Sequence, residues 1–237
     1  MTFSIIALDQ KTGCLGVAVS TANLAVGAVG YQALAGVGII ATQYDPHPIL
    51  GFRGLCLLAE SIDVEDVLEL LLKSDEGRSR RQIHIVDHHG NTAGWTGDCV
   101  GWAGHKTYSG FSVAGNMLVG EKTITAMADA YQTNIKSSFP DRLLCAVEAG
   151  EATGGDKRGR QSAALYIVST EKYADLDLRV DDHKNPVAEL RRIYEESQKS
   201  YYLAFRAIMP TKESPHGIYD PMMIEEIAAQ LAKQSRH

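Results

Sequence analysis

Residues 2–20 of this 237-residue chain have the sequence TFSIIALDQKTGCLGVAVS. Two apolar runs, residues 3–8 and 14–20, flank a short polar turn that ends in glycine, which is typical of two strands joined as a hairpin. A threonine, Thr2, opens the first of these strands, where a rigid backbone would hold its side chain in place. The hairpin therefore sets the surroundings of the first candidate functional residue.

Thr2 is a candidate nucleophile because of the residue that precedes it. A methionine in front of so small a side chain is normally removed after synthesis, which would leave Thr2 with a hydroxyl and a free α-amine. Such an amine titrates at a pKa of about 7.7–8.0, so it can serve as the general base for the neighbouring hydroxyl. Small residues also follow methionine without any catalytic role, and a retained Met1 would block the amine.

The composition predicts a folded protein without nucleic-acid or membrane partners. Hydrophobic residues make up 45% and charged residues 22% of the chain, and the net charge of −6 disfavours nucleic acid and anionic membranes. Residues 15–44 carry no charge but contain five glycines, which favours buried strands over a membrane span. No secretory signal is visible and the four cysteines lack metal-ligand spacing, so we expect a cytoplasmic protein with reduced core cysteines.

The apolar patterning predicts strands and helices in alternating groups. Strands are expected at residues 3–8, 14–20, 26–29, 37–43, 82–87, 92–96, 108–113, 163–169 and 176–180. Helices are expected at residues 47–61, 63–77, 117–134, 140–149 and 186–207, and after Pro221. Pairs of strands separated by pairs of helices predict an α+β fold: a four-layer αββα sandwich in which two stacked, mainly antiparallel sheets lie between helical layers.

The sandwich is expected to be one domain of residues 1–209, followed by a tail of residues 210–237. The tail carries an amphipathic helix whose apolar positions include Met223, Ile224 and Leu231. So short a helix has no core of its own, so it should dock on the body or on a second subunit. We therefore expect a homo-oligomer.

The order of elements resembles the αββα sandwich of the N-terminal nucleophile hydrolases, the superfamily that includes the proteasome β subunits. In those enzymes a threonine, serine or cysteine at the mature N-terminus starts the first strand. A glycine-flanked segment opens a helix beside it, as Gly115-Asn116-Met117 would here, and an Arg-Asp-rich loop feeds a later strand, as residues 154–162 would. The catalytic lysine of the proteasome pattern has no counterpart in residues 25–29, which shifts the role of base onto the α-amine.

Nearer in sequence, the chain resembles a bacterial family known as domain of unknown function 1028, for which the same fold is expected. The matching motifs are Thr2-Phe3-Ser4-Ile5, Leu15-Gly16-Val17-Ala18-Val19, Ala41-Thr42-Gln43, Trp102-Ala103-Gly104-His105, Gly115-Asn116-Met117-Leu118, residues 154–164 and Leu178-Arg179-Val180-Asp181-Asp182-His183. They cover nearly the whole body but not the tail. The resemblance implies a sandwich fold and a hydrolase, with no particular substrate.

Five residues are expected to form the catalytic machinery: Thr2, Ser20, Asn116, Asp156 and Ser162. Thr2 Oγ1 would attack a carbonyl carbon while its own amine takes the proton, and Asn116 at a helix start would donate to the oxyanion. Asp156 would position the amine and Ser162 would pass a proton. Ser20 would face Thr2 across the sheet. Ordinary roles are open for each of the helpers, as a helix cap for Asn116 and as turn or strand-end residues for the rest.

Seven residues are expected to bind the substrate: Gln43, His105, Arg160, Gln161, Arg179, Asp181 and Asp182. The two arginines, with Lys157 and Arg158, would bind a carboxylate on a small molecule. Internal pairing of these cations with Asp181 and Asp182 is an equally weighted alternative. Adjacent side chains on a strand point to opposite faces, so Asp181, Asp182 and His183 predict no metal site. No phosphate-binding glycine pattern indicates a nucleotide.

The sequence therefore predicts a hydrolase that acts on an amide-like C–N bond of a small substrate and needs no cofactor. The alternative is a non-catalytic binding or assembly protein that keeps the sandwich, which the missing lysine favours. A third hypothesis is a metal-dependent hydrolase that uses Asp181, Asp182 and His183.

Overall fold

A computed structural model describes residues 2–155 and 158–234 of the chain, which form ten strands and seven α-helices. Two compact units are present: the first ends at Leu190 and the second begins at Arg191. All ten strands belong to the first unit. The domain boundary at residue 209 stays a prediction from the sequence.

The first sheet has six strands, and every neighbouring pair is antiparallel. Their order across the sheet is β10 (Leu176–Val180), β9 (Ser162–Val168), β2 (Cys14–Thr21), β1 (Thr2–Asp9), β8 (Phe111–Leu118) and β7 (Trp102–Tyr108). The predicted hairpin is confirmed as β1 and β2, and it lies in the middle of the sheet. Thr2 is therefore flanked by a strand on each side.

The second sheet has four antiparallel strands. Their order is β3 (Tyr31–Leu34), β4 (Gly38–Tyr44), β5 (Arg81–Asp87) and β6 (Thr92–Thr96). Strands β4 and β5 pack face to face against β1 of the first sheet. The two sheets are thus stacked, with β1 in the middle of the interface between them.

Helices cover the outer face of each sheet. Helices α1 (Pro48–Ala59) and α2 (Val64–Lys73) pack on the second sheet, and α3 (Lys122–Thr133) and α4 (Phe139–Ala152) pack on the first. The predicted four-layer αββα sandwich is therefore confirmed. Helix α5 (Pro186–Ser197) spans the boundary between the units, and the second unit holds α6 (Ser200–Ala207) and α7 (Pro221–Gln234).

Two of the apolar cores in the described chain illustrate the layering. One lies between the sheets and includes Ile6, Val17 and Ile39; the other lies between the second sheet and its helices and includes Ile40 and Leu71. Ile39 and Ile40 are neighbours on β4 whose side chains point to opposite faces. Strands buried on both faces explain why the sequence shows continuous apolar runs.

Three of the predicted elements differ from the structure, and the first two lie beside the candidate site. Residues 26–29 are not a strand: Val26–Ala28 is a 3₁₀ turn that follows Ala25 in the left-handed conformation. No helix begins at Met117, because β8 runs through to Leu118 and α3 starts at Lys122. The helix predicted for residues 186–207 is divided into α5 and α6.

Other expectations concern the surface and the cysteines. Within the described residues, no helix is long and apolar enough to cross a membrane. The four cysteines are free, but Cys56 is exposed and the other three are only partly buried, so their assignment to the core was wrong.

Candidate functional site

Thr2 lies at the first position of β1, on the face that meets the second sheet. The strand register places it opposite Thr21 on β2 and opposite Asn116 on β8. Its side chain is buried, with 7% of the residue exposed. Thr2 Oγ1 and Thr21 Oγ1 are 3.2 Å apart, close enough for a hydrogen bond.

A small cavity of about 50 Å³ opens beside Thr2 between the two sheets. Residues from both sheets and from the loop after β2 line it: Thr2, Thr21, Asn23, Leu24, Val26, Val29, Gly30, Thr42, Gln43, Tyr44 and Pro46. These described lining residues include no acidic or basic side chain, and one of them is Gln43, a predicted substrate-binding residue. Larger clefts lie at the far end of β1, near Asp9, and do not include Thr2.

Asn116 is fully buried in the middle of the sheet rather than at the start of a helix. Gly115, the residue before Asn116, is required for packing, because a Cβ at this position would lie 2.5 Å from the Cδ1 atom of Leu118. The side-chain amide of Asn116 donates from Nδ2 to Gln82 Oε1 at 3.0 Å. Its Oδ1 is buried and has no hydrogen-bond partner within the described part of the chain.

The orientation of Gln82 determines the orientation of the amides around it. Gln82 Nε2 lies 3.0 Å from the carbonyl oxygen of Gly104 and 2.9 Å from that of Gly115. Carbonyl oxygens can only accept, so this nitrogen must point at them and Oε1 must point away. Gln82 Oε1 then accepts from Gln43 Nε2 at 3.1 Å and from Asn116 Nδ2 at 3.0 Å. Asn116 is therefore left with its acceptor oxygen unused.

The same direction of donation continues through the next groups. Gln43 Oε1 accepts from the hydroxyl of Ser4 at 3.1 Å. Because Ser4 has one proton, its 2.9 Å contact with His84 Nε2 requires the ring to donate there. His84 Nδ1 then accepts from the hydroxyl of Ser112 at 3.0 Å. We call Ser4, Gln43, Gln82, His84, Ser112 and Asn116 the inter-sheet network; each is at most 3% exposed.

His84 is a neutral ring in this network. Burial, reinforced by the charge that His105 can carry, lowers the pKa of His84 to about 3. Burial also lowers the pKa of His105, whose Nδ1 lies 2.9 Å from Thr96 Oγ1. Thr96 in turn accepts from Gln82 Nε2 at 3.0 Å, so His105 lies at the edge of the network. His105 does not line the cavity beside Thr2.

Two predicted catalytic serines do not reach Thr2. Ser20 lies opposite Phe3 in the register, so its side chain points to the other face of the sheet, and Thr21 takes the place predicted for it. Ser162 lies on the correct face, but one strand beyond Thr21. Its hydroxyl donates to the carbonyl of Asn23 at 2.6 Å and accepts from the N–H of Val26 at 3.0 Å. Ser162 therefore holds the loop that lines the cavity.

The predicted charged residues form pairs with one another. Arg179 binds both carboxylate oxygens of Asp181, at 2.9 and 3.1 Å, and Arg160 pairs with Glu151 at 3.1 Å. The predicted internal pairing with Asp181 is thus found for Arg179, whereas Arg160 pairs with Glu151, which was not among the predicted partners. Gln161 donates to Asp182 Oδ1 at 3.2 Å.

Neither the metal hypothesis nor the Asp156 prediction gains support from the arrangement. Within residues 2–155 and 158–234, no three His, Cys, Asp or Glu side chains cluster as metal ligands would. His183 Nδ1 accepts from the backbone N–H of Asn185 at 3.1 Å. Asp156, predicted to hold the amine, lies outside the described residues.

Backbone strain is concentrated around Thr2. Four non-glycine residues in the described chain have a positive φ, and three of them flank this end of the sheets: Ala25, Tyr44 and Met117. Such conformations are unfavourable for residues with a Cβ and tend to occur at functional sites. Tyr44 also lines the cavity, and its hydroxyl accepts from the N–H of Val100 at 3.1 Å.

Sequence reasoning missed Thr21, Ser4, Gln82, His84 and Ser112. Their signal was present as polar side chains at inward-facing alternate positions of apolar strands, such as Gln82 and His84 within β5. The strand pairing was needed to show that they meet.

The chemistry available at Thr2 is that of a hydroxyl held beside a second hydroxyl, with Asn116 as its cross-strand partner on β8. Among the described residues that line the cavity none is a strong base, and the α-amine of Thr2 is a group that could serve as one.

Comparison with known proteins places the chain in a family. Residues 2–190 match the model described as "Family of unknown function (DUF1028)". A crystal structure of a DUF1028 protein from Silicibacter pomeroyi is 30% identical with a TM-score of 0.85, and the match covers 92% of this chain and 99% of that chain. No curated protein matches in sequence.

Two proteins named Anbu are much more distant. Anbu (ancestral beta-subunit) from Yersinia bercovieri is 11% identical with a TM-score of 0.38, covering 89% of this chain and 99% of that one. Anbu from Hyphomicrobium sp. strain MC1 is 10% identical with a TM-score of 0.41, covering 90% and 100%. Neither similarity carries an argument about this chain. The family model and the Silicibacter structure together show that this chain belongs to the DUF1028 family.

Proposed function

We propose that this protein is a hydrolase of a small amide-like substrate and that Thr2 is its N-terminal nucleophile. The observation that carries the proposal is the position of Thr2: first in a central strand, buried between two sheets, beside a cavity and in contact with Thr21 Oγ1. The N-terminal nucleophile type is inferred from this position and from the resemblance of the element order. Activity requires processing that exposes the α-amine of Thr2.

Asn116 is the positioning residue for that amine. Cross-strand partners on the same face have Cβ atoms about 4.5–5.5 Å apart, so the side chain of Asn116 reaches the start of β1. Its buried Oδ1 has no partner among the residues that the structure describes, and an N–H of the amine would supply the missing donor. This replaces the oxyanion role predicted from the sequence, because Nδ2 already donates to Gln82.

The reaction follows from these contacts. Thr2 Oγ1 attacks the carbonyl carbon, and its proton passes to the α-amine directly or through the Thr21 hydroxyl 3.2 Å away. The protonated amine then gives its proton to the leaving nitrogen as the C–N bond breaks. Water, deprotonated by the same amine, then attacks the acyl carbon, the ester bond to Thr2 Oγ1 breaks, and the protonated amine returns its proton to Oγ1.

The cavity supports a substrate whose acyl end is small and neutral. Its volume of about 50 Å³ is far below the roughly 300–1,000 Å³ of a site that encloses a drug-sized ligand. Leu24, Val26 and Val29 make part of the wall apolar. A carboxylate elsewhere on the substrate would have to compete with Asp181 for Arg179 or with Glu151 for Arg160.

The proposal is tested by screening small amides with protein whose intact mass shows Thr2 at the N-terminus. Thr2→Ala should abolish turnover, a loss of at least about 10³-fold, whereas Thr2→Ser should keep part of it. Thr107→Ala, on an exposed position of β7, is the matched control and should behave as the unmodified protein. Turnover that survives in Thr2→Ala would exclude Thr2 as the nucleophile.

The role of Asn116 has its own test in the pH dependence of kcat/KM. Asn116→Asp places a negative charge beside the amine and should raise its pKa, moving the acidic limb to higher pH by about one unit. If the acidic limb of the pH profile does not move, Asn116 does not interact with the amine.

A non-catalytic binding protein is the second candidate. It is favoured by the cavity lining, in which the described side chains include no lysine or other strong base. If intact mass shows Met1 retained in fully folded protein from the native host, the binding function replaces the catalytic one.

A further inference from the structure

A second region of the first unit has the features of a ligand site. At the far end of β1 from Thr2, two adjoining clefts of about 520 and 290 Å³ share Asp9, Lys11, Ile135 and Arg142. Asp9 is seven residues from Thr2 along β1, which corresponds to about 23 Å at about 3.3 Å per residue. This region, which we call the distal cleft, is therefore separate from the proposed catalytic site.

Arg142 is the buried cation of the distal cleft. It lies in the first turns of α4 with 8% of its surface exposed, and its guanidinium stacks on the ring of Tyr131 at 4.1 Å. Its ion pair with Asp9 is long, at 3.7 Å, and Asp9 also accepts from Thr12 at 2.7 Å. Within the described residues, the Nε of Arg142 has no hydrogen-bond partner. The positive charge is thus incompletely neutralised by the protein.

Asp175 is the opposite charge on the wall of the same cleft. One of its carboxylate oxygens is buried and has no hydrogen-bond partner in the described chain. Its negative charge helps to raise the pKa of the nearby Cys14 thiol, after burial, which is the larger cause. Asp175 as a whole is only partly buried, but a carboxylate oxygen shielded from water without a donor is unfavourable, and a cationic group in the cleft would supply the missing partner.

The remaining walls are apolar or weakly basic. Ile135, Phe139, Ile167 and Leu176 provide apolar surface, and Lys11 is an exposed cation at the rim. A volume of about 520 Å³ falls within the range of small-molecule sites. A ligand that matches this lining carries an anion, a cation and an apolar group together.

We propose that the distal cleft binds a free α-amino acid with an apolar side chain. The carboxylate of the ligand pairs with Arg142 and Lys11, and its ammonium group pairs with Asp175. The side chain packs against the apolar residues of the wall, Phe139 and Ile167 among them. Binding here does not depend on the function proposed for Thr2.

Calorimetric titration of the full chain with L-leucine, L-methionine and L-phenylalanine tests the proposal. We expect saturable binding of at least one of them. The single-charge analogues of leucine, 4-methylpentanoate and 3-methylbutylamine, should bind at least about tenfold more weakly, because each leaves one protein charge unpaired. Asp175→Asn and Arg142→Gln should each weaken binding by a similar factor. Arg53→Gln, at an exposed arginine on α1, is the matched control and should not.

Two further measurements keep the test decisive. Lys11→Gln changes an exposed residue, so it should fold even if Arg142→Gln does not, and it should weaken binding less than Asp175→Asn. In the unmodified protein, ligand should shift the amide NMR signals of Ser137, Ile167 and Asp175 and not those of Thr21 and Gln43. The proposal is overturned if none of the three amino acids binds at about 10 mM. It is equally overturned if the affected signals are those beside Thr2, or if Lys11→Gln and Asp175→Asn leave affinity unchanged.

Discussion

The two ends of the space between the sheets are built from opposite kinds of side chain, although the same strands cross both. Along β1, Thr2 and Ser4 face the second sheet at one end, and Ile6 and Leu8 face it at the other. The apolar end gains stability simply by excluding water. The polar end is just as dry, so it must satisfy every donor and acceptor by geometry. Among the described residues, the inter-sheet network does so except at Asn116 Oδ1, and Asn116 lies opposite Thr2.

This difference suggests a division of labour within one layer. The apolar end needs only side chains of about the right size, whereas the polar end needs particular residues with particular orientations. A fold that required only stability would have continued Ile and Val to the end of the strand. The predictions that follow measure how far the two ends differ.

The largest effect is expected at Gln82, which links five partners. Gln82→Leu keeps the approximate volume but removes hydrogen bonds to two carbonyls, two amides and a hydroxyl, and should lower the free energy of unfolding by about 4 kcal/mol. Urea unfolding measures it. Gln132→Leu on the exposed face of α3 is the control and should change stability by at most about 0.5 kcal/mol. If Gln82→Leu leaves the free energy of unfolding unchanged, the hydrogen bonds of the polar end contribute nothing to the stability of the fold or to its unique conformation.

The apolar end should respond to lost volume instead. Ile39→Ala, at a fully buried position between the sheets, should lower the free energy of unfolding by about 3 kcal/mol through lost burial and a cavity. Its effect should be independent of pH between 5 and 8, because no titratable group belongs to the apolar cluster around it apart from tyrosine. Chemical unfolding at both limits checks this, and a pH-dependent loss would show that the two ends are coupled.

Acid should destabilise the polar end through His84. The ring has a pKa of about 3 when folded against an ordinary value of 6.5, so the unfolded chain binds more protons between these values. The contribution is complete above pH 6.5 and is lost as the pH falls, by about 1.4 kcal/mol per unit, or about 2 kcal/mol by pH 5. His84→Gln should lower by one the number of protons taken up on unfolding in this pH range, and so reduce the slope of stability against pH. His88→Gln, at an exposed histidine, should retain it, and equal slopes in both variants would contradict the burial of the charge.

The smallest effect is expected at the end of the network. Ser112→Ala removes the donor to His84 Nδ1 and should lower the free energy of unfolding by about 1 kcal/mol. Ser109→Ala, exposed in the turn before β8, should leave it unchanged. If Ser112→Ala stabilises the protein, the direction of donation assigned to His84 is wrong.

Much of the fold followed from local sequence signals. The hairpins β1–β2 and β5–β6 were predictable because short polar turns separate apolar runs, and the bounds predicted for β10 are those observed. The helix predicted after Pro221 is present as well, and Asp220 caps it, since its Oδ1 accepts from the N–H of Met222 at 2.9 Å.

The failures share a physical cause. Gly27 fits both a strand and a tight turn by composition, and only its contact with Ala164 and Arg179 decides between them. Gly115 in the Gly115-Asn116 pair was taken for a helix start because its packing against Leu118 is invisible in the sequence. The face of the sheet that a residue occupies also depends on the strand register, and a shift of one residue exchanges the two faces. For this reason Ser20 was predicted to face Thr2, whereas Thr21 does so.

The candidate site was harder to predict than the fold. Thr2 and Gln43 were identified, but the network joins residues that are up to 112 positions apart, from Ser4 to Asn116. No local pattern contains that information, because it depends on which strands face each other across the stacked sheets.

In the inter-sheet network, the direction of each hydrogen bond fixes the direction of the next. The series starts at two backbone carbonyls, which can only accept. Reversing one amide or hydroxyl alone would place donor against donor on one side and acceptor against acceptor on the other. All members of the network must therefore reverse together or not at all. In evolution, positions 43, 82 and 116 should therefore be substituted together. A substitution at only one of them should disrupt the hydrogen-bond network and leave Thr2 inactive.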